Sequence, residues 1–140
     1  MARVKIDLPE SFVFTIELPV RITDINYGNH MGNDAFLALF QEARVRWLNQ
    51  FGWTELIDDN IGLIMLDVAV RFKSEAHFGD TLRISLTPVD WTKRGFDLIY
   101  LAENKDTGAE VARAQSGFMF FDYTKKSLAR MPEGFKEKVS

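Results

Sequence analysis

Phe14, Ile16, Leu18, Val20 and Ile22 alternate with Thr15, Glu17, Pro19, Arg21 and Thr23. A period of two sends successive side chains to opposite faces, which is the mark of a half-buried strand. Pro19 has no amide hydrogen to donate, so this strand is expected at a sheet edge or bulged. From Asp34 the period changes. Phe36, Leu39, Phe40, Ala43, Trp47 and Phe51 recur at helical spacing, with Gln41, Glu42, Arg46 and Asn49 on the remaining turns. The spacing predicts a long helix over 34–51, with Asn33 and Asp34 as cap types and Gly52 as the stop.

The rest of the chain alternates again. Val68, Val70 and Phe72 share one face, as do Leu82, Ile84 and Leu86, and then Phe96, Leu98 and Tyr100. A turn at "NKDTG" leads into "EVARAQSGFMFFDY", and the tail "PEGFKEKV" has room for one or two helical turns. Strand, long helix and four consecutive strands predict an α+β domain, one antiparallel sheet with a single helix laid against it. With 140 residues and neither repeat nor linker, residues 1–140 read as one domain.

Composition narrows the function. Twelve Phe against three Tyr point to a thick apolar interior, a subunit interface or an apolar ligand tunnel. The absence of cysteine removes disulfides, thiolate metal sites and a Cys nucleophile, and fits a reducing compartment. A net charge of −3 and a pI near 5.4 argue against nucleic acid as the main partner, while leaving room for a small basic patch. No signal peptide is read at the N-terminus, and no run approaches the ~18 apolar residues of a membrane span, so a cytoplasmic protein is expected. Two His without a ligand-like spacing give no metal site, and the phosphate-cradling and dinucleotide glycine patterns are absent.

The densest chemistry lies in "DINYGNHMGNDAF", between the first strand and the helix. An unpaired helix N-terminus offers N–H groups and partial positive charge, which suit an oxyanion forming on a carbonyl. The longer stretch "DINYGNHMGNDAFLALFQEAR" resembles D-x-D-x-x-G-H-x-N-N-x-x-Y followed by a helix bearing E-A-R. "FKSEAHFGDTLRISL" contains an F-G-D-x-L, and "FFDYTKKSLARMP" ends a strand with an aspartate, a basic pair and a proline. In that order these motifs resemble the hotdog-fold acyl-CoA thioesterases of the 4-hydroxybenzoyl-CoA thioesterase-like superfamily, over Arg21 to Pro132. The resemblance implies an antiparallel sheet wrapped around one long central helix. It also implies an acyl-CoA or acyl-carrier-protein thioester as substrate, coenzyme A entering only as part of it. A homodimer or tetramer is implied too, since one subunit of this fold rarely completes the site.

Asp24, His30, Asn33, Phe36, Glu42, Ala43 and Arg44 occupy the corresponding places. The resemblance makes the backbone N–H near Asn33 the oxyanion donor. At the place of the family's usual catalytic carboxylate, however, this chain has Asn26, and Gly32 replaces the first loop Asn. A carboxamide cannot act as a general base near neutral pH. Asn26 either holds a water or the substrate carbonyl, or it shapes an Asx turn. His30 is either a polariser or a loop donor. A substitute carboxylate could come from Asp34, Glu42 or Asp67, although Asp34 is also a cap type. Glu42 could equally pair with Arg46 at i+4 or with Arg44. In "DWTKRGF", Thr92, Lys93 and Arg94 resemble residues that hold coenzyme A phosphates, with Arg71 and Lys73 as an extension. The competing reading is a non-catalytic acyl-CoA or carrier-protein binding module, and a dehydratase is a third.

Overall fold

The helical period folds as expected in the computed structural model, which describes residues 2–140. The first alternation holds as a strand only to Pro19, and Ile22 falls in a 3-10 turn with its side chain exposed. Strand β1 (Phe14–Pro19) leads through a short 3-10 turn (Ile22–Asp24) to helix α1 (Asn33–Asn49). Four long strands follow: β2 (Ile61–Phe72), β3 (Thr81–Val89), β4 (Gly95–Asn104) and β5 (Glu110–Asp122). A two-residue strand β6 (Ser127–Leu128) and a short helix α2 (Phe135–Val139) close the chain.

The sheet is antiparallel, in the order β1-β3-β4-β5-β2, with β6 beside β5. Pro19 sits on the edge strand β1, where a missing donor costs no ladder bond. Leu82, Ile84, Leu86, Phe96, Leu98 and Tyr100 turn to the helix and are buried. Small residues on β4 and β5, namely Ala102, Ala112, Ala114 and Ser116, are buried among them, and let α1 approach the sheet closely. The helix presents Phe36, Leu39, Phe40, Ala43, Trp47 and Leu48 in return.

The helix ends differ slightly from the expected 34–51. Gly32 takes the N-cap, with φ −71° and ψ 152°, and no side chain caps the first turn. Asn33 and Asp34 are therefore the first two helical residues. At the other end Gly52 is left-handed (φ 82°); its N–H donates to the Asn49 carbonyl, and that of Trp53 to the Leu48 carbonyl. This is a Schellman stop, and it needs glycine.

Four of the twelve phenylalanines fill the far end of the core. Phe96, Phe118, Phe120 and Phe135 pack with ring centroids 5.0–6.0 Å apart, and Trp47 and Trp91 join them against Phe96. The tail thus serves as a plug, with α2 seating Phe135 in that cluster.

Order along the sheet has one consequence for function. β2 and β3 lie on opposite sides of the β4–β5 pair, so residues 73–80 must cross the end of the sheet. That crossover passes the start of α1, where the Met31 N–H donates to the Ala76 carbonyl at 2.7 Å.

Candidate functional site

The junction before α1 is anchored from below. Burial pushes the Asp24 carboxyl up, but hydrogen bonds from the Arg21 guanidinium and backbone N–H, with the attraction of that cation, outweigh it and hold the group below the usual carboxylate range. The Asp24 carbonyl then accepts the Gly32 N–H at 2.9 Å, which fixes the cap. A folded-state pKa below the unfolded one means stability that is present above about pH 4 and lost as pH falls through the folded value. Asp24→Asn is accordingly expected to lower Tm at pH 7. The gap to wild type should close as the pH drops below about 4. A gap of constant size from pH 7 to pH 2 would assign the effect to packing instead.

Within the loop, the Asn26 carboxamide oxygen accepts the Gly28 N–H at 2.9 Å, and the Asn26 N–H donates to the His30 carbonyl. Asn26 is thus engaged in an Asx turn. It lines one cavity of about 430 Å³, with Thr23, Asp24, Tyr27, Gly32 and Asp34. On the other side of the turn, His30 and Asn33 line a second cavity of about 250 Å³. Its walls are Phe36 of α1 and Phe72 of β2, 5.3 Å apart and edge-to-face, together with residues 73–76 of the crossover.

Asn33 and Asp34 carry N–H groups that donate to no acceptor among the described residues. They are the first two amides of a 17-residue helix, and the macrodipole adds positive potential there. A carbonyl oxygen brought to this end finds two unused donors in a fixed position.

The other candidates are scattered. Glu42 accepts from Arg46 Nη2 at 3.1 Å, one turn on, and lies about 13 Å along the helix from Asn33. It has no bond to Arg44, whose guanidinium donates instead to Glu55 and to the Tyr100 hydroxyl (3.0 Å). Asp67 is exposed beside a bulge in β2 and accepts the Gly117 N–H at 3.2 Å. It lines a cavity with Val4–Ile6 of the N-terminal arm and with Asp97, whose strand neighbours Phe96 and Leu98 face α1. Asp67 therefore points away from the helix.

Thr92, Lys93 and Arg94 form the exposed β3–β4 turn. The Thr92 hydroxyl is used inside it, donating to the Gly95 carbonyl and accepting the Arg94 N–H. Lys93 and Arg94 make no ion pair among the described residues. The neighbouring Trp91 packs on Phe96, which packs on Trp47, so this turn sits at the C-terminal end of α1. Within one chain it is roughly 20 Å from Asn33 along the helix. Arg71 is occupied by the Val4 carbonyl, while Lys73 lines the smaller cavity.

Sequence reasoning missed Glu75. It lies on the crossover, with one carboxylate oxygen 3.5 Å from His30 Nε2 and the other 3.6 Å from His77 Nε2. In the sequence it belongs to a polar connector, and only the strand order carries it to the helix N-terminus.

Among curated proteins, none matches the sequence. Solved structures match in fold. The 1,4-dihydroxy-2-naphthoyl-CoA thioesterase of Synechocystis superposes with a TM-score of 0.82 at 22% identity, over 90% of this chain and 94% of its own. A hypothetical protein of Staphylococcus aureus solved in complex with CoA gives 0.80 at 18% identity, over 96% and 85%. A gentisyl-coenzyme A thioesterase gives 0.78 at 18% identity, over 88% and 99%. The sequence profile of the thioesterase-like superfamily matches residues 20–139, and with this architecture the chain belongs to that superfamily and has its hotdog fold.

Proposed function

We propose that this protein hydrolyses an acyl-CoA thioester to the free acid and thiol, with the thioester carbonyl held by the N–H groups of Asn33 and Asp34. The observation that carries the reading is that pair of unused donors beside a cavity walled by Phe36 and Phe72. Superfamily membership and a structural neighbour solved with CoA support the choice of coenzyme A. The acyl group lies against Phe36 and Phe72.

The working unit in this reading is a homodimer. β2 is a 12-residue edge strand with an unpaired outer ladder, and Met65, Leu66, Val68 and Phe72 are exposed along it. An exposed, long, apolar edge is a template for pairing with another strand. Antiparallel pairing of two β2 strands about a two-fold axis reverses the partner sheet end for end. It brings the partner's β3–β4 turn to the end where this chain's α1 begins. Lys93 and Arg94 of one copy then serve the cavity of the other, as counter-charges for the coenzyme A phosphates.

The test is free-thiol release from short, long and aromatic acyl-CoAs, with the molar mass in solution measured in parallel. Turnover by a dimer is expected. Reversing both charges, Lys93→Glu with Arg94→Glu, should raise KM about tenfold or more, consistent with losing charge-assisted phosphate contacts, and leave kcat nearly unchanged. An unchanged KM would remove those residues from the site. Tight CoA binding with no turnover of any thioester would favour the alternative, a binding module, for which the engaged Asn26 amide is the specific support.

A further inference from the structure

The loop that precedes α1 lacks the carboxylate that would activate water, and the crossover supplies another. We infer that His30 is the general base of the hydrolysis and that Glu75 positions it and stabilises its charged form. The inference rests on the thioesterase reading above.

The hydrogen bonds of His30 fix the direction of proton flow. Its Nδ1 lies 3.1 Å from the Met31 carbonyl oxygen, an acceptor only, so Nδ1 carries the hydrogen and donates. In the neutral ring Nε2 is then the bare nitrogen. It stands 3.5 Å from Glu75 Oε2, longer than a direct hydrogen bond, so its proton is not supplied by a standing contact. A carboxylate facing a bare nitrogen gains nothing until that nitrogen takes up a proton. The pair therefore favours the imidazolium that water activation creates, and the His30 side chain, with about a third of its surface exposed, can meet water. Both residues line the cavity that Asn33 lines, so the base and the first of the two oxyanion donors share one compartment.

The step balances without any further reagent. Nε2 takes a proton from water as the water oxygen bonds to the thioester carbon. The carbonyl electrons move to its oxygen, held by the Asn33 and Asp34 N–H groups. On collapse the carbonyl re-forms, the C–S bond breaks, and the departing thiolate takes the proton from Nε2. The ring returns to neutral, and acid and thiol are released.

Several other charged groups face the pair. His77 Nε2 is 3.6 Å from the second Glu75 oxygen, and His77 itself is held by Asp80, whose carboxylate accepts the His77 N–H at 2.9 Å. Lys73 lines the same cavity from the crossover. His77 is the second imidazole beside Glu75, so the control is His77→Gln, which keeps both members of the pair.

The experiment is a kcat and kcat/KM pH profile for wild type, His30→Gln, Glu75→Gln, Glu75→Asp and His77→Gln, with binding of a non-hydrolysable thioether analogue of acyl-CoA measured for each. His30→Gln should lose about 10²–10⁴-fold in kcat with the acidic limb of the profile abolished. Glu75→Gln should lose about tenfold or more in kcat, because the imidazolium formed during the reaction has lost its counter-charge. Glu75→Asp should recover part of the loss, and His77→Gln should keep a rate close to wild type. Analogue binding should stay within a few fold throughout. An active wild type whose His30→Gln and Glu75→Gln variants keep its rate and profile would overturn the pair and leave the hydrolase reading standing. A wild type inactive on every thioester would overturn both.

Discussion

Asn33→Pro is expected to cut kcat by about 10²–10³-fold while leaving Tm almost unchanged, because it deletes one backbone donor and little else. Asn33 is the first residue of α1, where a missing N–H breaks no helical bond. Proline also demands an extended residue before it, and Gly32 already has φ −71° and ψ 152°. The Asn33 N–H has no acceptor among the described residues, so the folded protein loses nothing measurable when it goes. A tetrahedral oxyanion held at this end would lose one of its two donors, a deficit of about 3–4 kcal/mol in the transition state. Asn33→Ala keeps the N–H and removes the carboxamide, so it separates the two contributions and should stay within a few fold of wild type. Steady-state kinetics with one acyl-CoA, beside thermal melts of the three proteins, decides the matter. Equal rates for the proline and alanine variants would place the oxyanion elsewhere.

Periodicity made most of the fold readable, because alternation and helical spacing are imposed by one buried face each. The strands containing Leu82, Ile84, Leu86 and Phe96, Leu98, Tyr100 bury those residues as the alternation requires. Strand order is a different kind of information. Nothing local in "KSEAHFGD" reveals that it crosses the sheet end and delivers Glu75 to His30. The cap was misplaced by one residue for a similar reason. Asn33 is the better cap type, but the Arg21–Asp24 pair and the Gly32–Asp24 bond decide where the helix starts. The partner of Glu42 was within reach of the sequence. The Glu42–Arg46 pair follows from i+4 spacing, and a Glu42–Arg44 pair is disfavoured because residues two apart do not share a helix face. Composition counted the phenylalanines without placing them. Four fill the core around α2, and Phe36 and Phe72 line the cavity beside the helix N-terminus.

Arg44→Ala should destabilise the fold by about 3–4 kcal/mol, and Arg44→Met by roughly half of that. Arg44 is buried on α1, and its guanidinium donates to Glu55 on the connection to β2 and to the Tyr100 hydroxyl on β4. With its oxygen accepting from Arg44, the Tyr100 hydroxyl is free to donate to Ser116 on β5, 2.8 Å away. The chain of bonds ties the helix to two strands and a loop, and Arg44 also lies over the Phe118 ring at 4.8 Å. Breaking a fully buried pair costs about 3–5 kcal/mol, but Glu55 keeps about a third of its surface in water and can resolvate. Tyr100 keeps Ser116 as a partner, so no hydroxyl is orphaned. Those two facts hold the polar loss to about 2 kcal/mol. Alanine adds a cavity that methionine fills. Denaturant melts of the two variants separate these terms, and a methionine variant as stable as wild type would mean that the network breaks even against an apolar side chain. The donors of Asn33 and Asp34 lie at the far end of the same helix from this network's loop contact. A folded Arg44→Met protein should therefore turn over substrate at a near-wild-type rate, whereas Asn33→Pro should be stable and slow. Finding the two losses on separate variants would place the stability of α1 in its buried middle and its chemistry at its exposed start.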